Sequence, residues 1–257
     1  VCENSIFALQ ELAAYYRQLF NLKILAITGS NGKTIVKEWL SQILSWKYNV
    51  VKSPKSYNSQ IGVPLSIWQI NESHNFGVFE AGISTRGEMT RLEKIIKPDI
   101  GILTNIGSAH DEGFHSRTEK LEEKMELFKD CKNLIYNLDD DLVHNTVSKL
   151  LPECEKITWG TKPEAIFQIA EISQEVKGSK IRIQHDFTAY EFNFKFTDQA
   201  SIENIIHCIV YLLNSEWTLL EIQEGLDALQ NVSMRLEMKR GVNDTYLIDD
   251  TYNNDFA

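Results

Sequence analysis

A short apolar run at residues 24–28 passes straight into Gly29, Ser30, Asn31, Gly32, Lys33 and Thr34, and a helical pattern starts directly behind them. That order of strand, glycine-rich turn and helix constrains the fold more than any other feature of the 257 residues, because it is how α/β proteins build a phosphate cradle. Gly29 and Gly32 let the chain bend and bare its N–H groups, and the helix adds the positive end of its dipole. Lys33 is placed to neutralise the β and γ phosphates of a nucleotide, and the Thr34 hydroxyl to sit on Mg²⁺. A glycine turn behind a strand is often only a turn, and it is the Lys-Thr pair opening the helix that argues for a nucleotide. The loop is two residues shorter than GxxxxGK[ST], with Ile27 standing where that pattern has its first glycine. This points to a particular subclass of phosphate loop.

Around this loop, short apolar runs alternate with helical stretches. KILAIT is followed by a helix over 33–44, then VV, FGVFEAG, a helix around 88–96, IGILTNI, a helix around 119–128, NLIYNL and a helix after Asp139. Such alternation predicts an α/β fold with a mostly parallel, P-loop-type sheet flanked by helices. Past Pro163 the texture changes to IFQIAEI, KIRIQH and YEFNFKF, separated by polar turns at KGSK and HDFT, which reads as an antiparallel β extension. Helical periodicity returns over 199–214 and 218–230, and two strands joined by a turn at 241–244 close the sequence. At the other end, Ile6, Leu9, Leu12, Ala13, Tyr16 and Leu19 recur at helical spacing, a helix leading into the first strand.

With a formal charge of −10 and 26 scattered Lys and Arg, the chain lacks the clustered basic surface that a nucleic-acid partner requires. Cys2, Cys131, Cys154 and Cys208 form no CxxC pair, which suits reduced thiols rather than a zinc site or a disulfide framework. No apolar run approaches the roughly 20 residues of a membrane span, so the expectation is a cytoplasmic protein without membrane insertion.

The phosphate loop, followed in order by SYNSQIGVP, EAG, TNIGSAH and a lysine about a dozen residues later, resembles the Mur ligase family. Within it the chain is most similar to the MurF type, and SYNSQIGVPLSIWQ and EAGISTRGEM resemble the variant in which that ligase precedes an alanine racemase. The resemblance, which runs from about residue 22 onward, implies an ATP-dependent ligase of peptidoglycan synthesis that adds D-alanyl-D-alanine to UDP-muramoyl-tripeptide through an acyl-phosphate. It also implies three domains. Residues 1–21 would be the exit helix of a missing N-terminal UDP-substrate domain, 22–232 the central ATP-binding domain, and 233–257 the start of a truncated C-terminal domain, leaving a chain poorly active alone.

Carried over residue by residue, the resemblance makes Glu80 a Mg²⁺ ligand at a strand end and His110 a holder of a second Mg²⁺, with Asn105 in the same region. Lys124 matches the lysine that the family carbamylates with CO₂ to orient Mg²⁺. Lys120 is its rival, and spacing from His110 favours Lys124. Asn58 matches a stretch near the phosphates, Asn204 the asparagine that reads adenine, Arg235 a nucleotide-contacting arginine, and Asp250 the ribose-binding aspartate, with Asp249 as its rival. Without the resemblance, Lys124 reads as a solvated lysine in a charged run, Asn204 as a surface residue, and His74, His115, His144, His185 and His207 as structural. Two alternatives stand beside this reading: a MurE-like or folylpolyglutamate-synthase-like ligase, and a nucleotide-binding module without chemistry.

Overall fold

The computed structural model describes residues 2–107, 113–232, 237–240, 242 and 245–249. Along these residues run α1 (Ser5–Arg17), β1 (Lys23–Thr28), α2 (Lys33–Leu44), β2 (Val50–Lys52), α3 (Gly62–Ile67), β3 (Phe76–Glu80), α4 (Glu88–Ile96), β4 (Ile100–Leu103), α5 (Arg117–Met125), β5 (Asn133–Asn137), α6 (Asp141–Leu150), β6 (Glu155–Gly160), β7 (Phe167–Glu175), β8 (Gly178–His185), β9 (Thr188–Phe194), α7 (Gln199–Leu213), α8 (Leu219–Ala228), β10 (Glu237–Arg240) and β11 (Tyr246–Asp249). Nine strands make one sheet in the order β2-β3-β1-β4-β5-β6-β7-β8-β9, and β10 pairs with β11. All pairs from β2 to β7 are parallel, and β8 and β9 add on antiparallel.

The near-continuous apolar text of the central strands follows from burial on both faces. In β1, Leu25 and Ile27 enter a core shared with Val36, Trp39 and Leu40 of α2 and with Ile205 and Ile209 of α7. Their neighbours Ile24 and Ala26 enter a second core with Val63 of α3, Leu92 of α4 and Leu121 of α5. Over β1 to β5 the sheet is therefore the middle of three layers and its strands feed both cores through their period of two, whereas β6 to β9 give their buried apolar residues to the first core alone.

The expected fold class holds, with two refinements. The sequence reading passed over β6, whose Trp159 is buried, and α3, a helix of six residues inside the SYNSQIGVP text. In addition, the antiparallel extension, which spans the three expected strands, is joined to the parallel sheet through its first strand. β7 starts as a parallel partner of β6, Trp159 opposite Phe167, then pairs antiparallel with β8, which pairs antiparallel with β9.

Candidate functional site

Three neighbouring parallel strands, β3, β1 and β4, end at one edge of the sheet, and each delivers a residue singled out by sequence. Such carboxyl edges are where α/β sheets collect ligands. Register sets Ile27 opposite Glu80 and Thr28 opposite Leu103, so the phosphate loop leaves β1 between the ends of its two neighbours.

The loop is held from the β4 side. Thr104 Oγ1 donates to the Asn31 carbonyl at 2.5 Å, Asn105 Oδ1 accepts from Asn31 N at 3.0 Å, and the Asn105 carbonyl accepts from Ser30 N at 2.8 Å. Gly107 N donates to Ser30 Oγ at 3.0 Å. Gly29 is forced by this contact: a Cβ there would meet Thr104 Oγ1 at 2.0 Å. With the Ser30 and Asn31 amides serving Asn105, phosphate contact falls to the N–H groups from Gly32 onward. There α2 starts on an N-cap glycine with no side-chain cap, and a helix N-terminus favours an anion. Lys33 Nζ stands over the loop, donating to the carbonyls of Gly29 at 2.9 Å and Ser30 at 2.7 Å. Thr34 is buried at the first turn of the same helix.

Glu80 ends β3 with no solvent exposure. Asn58 Nδ2 donates to its Oε1 at 2.8 Å, and Lys37 Nζ lies 3.7 Å from its Oε2. That second oxygen is buried and, among the described residues, accepts no hydrogen bond, an exception to the rule that buried polar atoms are satisfied. Asn58 lines the adjoining cavity and covers the carboxylate, which stands one residue behind the wall. The sequence reading missed Lys37, although it lies one helical turn beyond Lys33. Its ammonium is fully buried and donates to the Ser53 carbonyl at 2.8 Å and to that of Lys55.

Lys124 is not the solvated helix lysine of the bare sequence reading. It is 3% exposed, and its Nζ donates to the Gly29 carbonyl at 3.1 Å, sharing that acceptor with Lys33. Burial, and then the charges of Lys33 and Lys120, push the Lys124 amine well below its ordinary value. Lys120 is equally buried, and its Nζ reaches the Gly107 carbonyl at 3.0 Å. The two rivals thus enter the same site from one face of α5, as residues four apart on a helix do.

Asn204 is likewise buried rather than on the surface, with its amide directly over Gly32. One turn further along α7, His207 is structural, as expected, but what it structures is the loop. Its Nδ1 accepts from Trp159 Nε1 at 3.1 Å, so Nε2 carries the proton and donates to the Thr104 carbonyl at 3.0 Å. Burial lowers this imidazole to about 4. His110, Arg235 and Asp250 lie outside the described residues, and Asp249 closes β11 of the separate two-stranded sheet.

A cavity of about 570 Å³ opens beside the loop. Gly29, Ser30, Lys33, Asn58, Lys120 and Lys124 line its inner end, and Phe7 of α1 and Arg91 of α4 its outer end. Among the described residues its walls carry four basic side chains, Lys33, Arg91, Lys120 and Lys124, and one carboxylate, Glu88, so it suits an anionic ligand.

A parallel sheet with a strand, short phosphate loop and helix at its carboxyl edge, beside a buried carboxylate and a lysine-rich cavity, defines an α/β nucleotide-binding domain. Residues 27–212 match the Mur ligase middle domain, and the chain belongs to the Mur ligase family. A curated relative, UDP-N-acetylmuramoyl-tripeptide–D-alanyl-D-alanine ligase of Bacillus subtilis, is 30% identical over 98% of this chain and 54% of its own length. The crystal structure of MurF from Acinetobacter baumannii superposes with a TM-score of 0.89 at 25% identity, over 99% of this chain and 56% of that one. The MurF ligase of Thermotoga maritima in complex with ADP gives a TM-score of 0.84 at 26% identity, over 99% of this chain and 59% of that one. The chain thus spans about half the length of the relatives it matches. No described helix is long and apolar enough to cross a membrane.

Proposed function

We propose that this chain is the ATP-binding catalytic segment of a cytoplasmic MurF-type ligase, joining D-alanyl-D-alanine to UDP-muramoyl-tripeptide in peptidoglycan synthesis. The observation that carries this reading is the convergence of Lys33, Glu80 and Lys124 around one phosphate loop, in a chain whose relatives carry that name. Residues 22–232, which include the family match, would be the central domain, with 1–21 leading out of a UDP-substrate domain and 233–257 leading into a third.

In the reaction, an oxygen of the substrate carboxylate bonds to the γ-phosphorus of ATP as the bond to the bridging oxygen breaks and ADP leaves. The amine nitrogen of the incoming dipeptide then bonds to the acyl carbon, the carbon–oxygen bond breaks, phosphate departs, and the surplus amine proton passes to solvent. The protein's task is placement and charge neutralisation. Lys33 meets the β and γ phosphates at the start of α2, and Asn204 stands over Gly32 where the amide can read adenine. Arg235 and Asp250 would contact the rest of the nucleotide.

The residues present fit Mg²⁺, which takes oxygen ligands and few of them from protein. Glu80 offers an unsatisfied buried oxygen and Thr34 a hydroxyl, while His110 and carbamylated Lys124 would serve a second ion. Bound there, the metal would neutralise charge on the transferred phosphoryl group. Lys124 suits carbamylation because burial and two neighbouring ammonium groups favour its neutral amine, the form that attacks CO₂.

Calorimetric titration with a non-hydrolysable ATP analogue and Mg²⁺ tests the reading. The wild-type chain should bind and Lys33→Ala should not. Equal binding by both would remove the phosphate loop from the nucleotide site and the ligase reading with it.

A further inference from the structure

Lys120 is 2% exposed and sits four residues before Lys124, on the same face of α5 and at the same inner end of the cavity. Lysine is among the residues least often buried, since taking an ammonium group out of water costs several kcal/mol unless the surroundings compensate it. The Gly107 carbonyl, 3.0 Å from Nζ, takes one of its three donors and fixes where the charge stands. That carbonyl also accepts from Ser30 Oγ at 3.3 Å, so the ammonium shares an acceptor with a residue of the phosphate loop. Lys33 and Lys124 in turn share the Gly29 carbonyl. Three amino groups are thereby anchored on two carbonyls of the phosphate-loop region, and all three line one cavity. With Lys124 inclined to its neutral amine, Lys33 and Lys120 are the two that present positive charge there, which suits a multiply charged anion.

Resting on the ligase reading, we propose that Lys120 is a catalytic residue that contacts the phosphoryl group once it has left ADP, first as acyl-phosphate and then as departing phosphate. Lys33 serves the nucleotide's own phosphates from the start of α2. Lys120, anchored on the Gly107 carbonyl rather than that of Gly29, meets the same group from α5 as the γ-phosphorus bonds to the substrate oxygen and the bond to ADP breaks. A lysine that only braced α5 against the loop would affect folding and ADP binding but would have no separate effect on phosphate.

The test is titration of inorganic phosphate into the chain saturated with ADP and Mg²⁺, comparing wild type, Lys120→Gln, Lys120→Arg and Lys33→Ala. Lys120→Gln should bind ADP within twofold of wild type yet lose at least tenfold in phosphate affinity, and Lys120→Arg should recover most of that loss. Phosphate affinity unchanged in Lys120→Gln overturns the proposal, as does a wild-type chain that binds ADP but no phosphate. ADP affinity unchanged in Lys33→Ala, or no ADP binding by wild type, overturns the ligase reading beneath it. If Lys120→Gln does not fold, Lys120→Arg decides: its guanidinium must still hold phosphate while ADP affinity stays put, and complete loss of phosphate with normal ADP binding counts against a charge-based contact.

Discussion

The side-chain oxygen of Asn204 occupies the space where a side chain on Gly32 would begin: a Cβ there would meet it at 2.0 Å. Gly32 also holds φ at +82°, in the left-handed region. Helix α7 can bring its amide down onto the start of α2 only because residue 32 has no side chain. Gly32→Ala should therefore cost about 1–2 kcal/mol in backbone strain alone and push the amide off the loop, lowering ATP-analogue affinity at least tenfold. Denaturant midpoints and calorimetry on the variant check both effects, and a Gly32→Ala chain that bound nucleotide normally would sever Asn204 from the site.

Lys37 and Glu80 are both without solvent exposure, 3.7 Å apart, in the layer beneath the cavity. Removing one member of such a pair strands the other charge in a medium that solvates it poorly. Lys37→Met should destabilise the fold by about 3–5 kcal/mol, more than Lys33→Ala at the rim of the same helix. Urea unfolding of the two variants is the measurement. A Lys37→Met chain as stable as wild type would mean that Glu80 finds its compensation elsewhere.

The local parts of this site were legible in sequence, and the parts built across the chain were not. Lys33 and Thr34 could be placed because strand, turn and helix are contiguous, and Glu80 because a strand end locates itself. Nothing local distinguishes Lys120 from Lys124: four residues apart in a charged run, they share one helix face, and both proved buried. Asn204 and His207 read as surface and structural residues on an amphipathic helix. Their partners Gly32 and Thr104 lie far away in sequence, and only the sheet order brings α7 over the loop. β6 escaped notice because its apolar text, ITWG, is short and follows a charged stretch. The antiparallel extension was legible from alternation, but its parallel join to the main sheet was not, because it runs through β6.

His207 makes stability depend on pH in a defined window. Its folded-state value lies near 4, against an ordinary value near 6.5. Between these limits the unfolded chain takes up a proton that the native imidazole refuses, wedged between Trp159 and the Thr104 carbonyl. The contribution to stability is fully present above about pH 6.5 and is lost as pH falls toward 4. Going from pH 7.5 to pH 5 should cost the wild-type chain about 2 kcal/mol more than His207→Gln, whose amide can donate to Thr104 but does not titrate. Chemical denaturation at the two pH values measures the difference, and identical slopes would show that the imidazole is not held neutral.

The rivalry between Lys120 and Lys124 has a spectroscopic answer. Carbamylation needs an uncharged amine, because its nitrogen lone pair must bond to the carbon of CO₂ before a proton is lost. Burial and the neighbouring Lys33 and Lys120 ammonium groups all favour that form at Lys124. Lys120, held on the Gly107 carbonyl, is instead assigned the cationic role toward phosphate. In ¹³C-bicarbonate, wild-type protein should show one carbamate carbon resonance by NMR. That resonance should vanish in Lys124→Arg, whose guanidinium cannot add CO₂, and persist in Lys120→Arg. The opposite pattern would exchange the two roles, and a resonance surviving in both variants would place the carbamate outside this site.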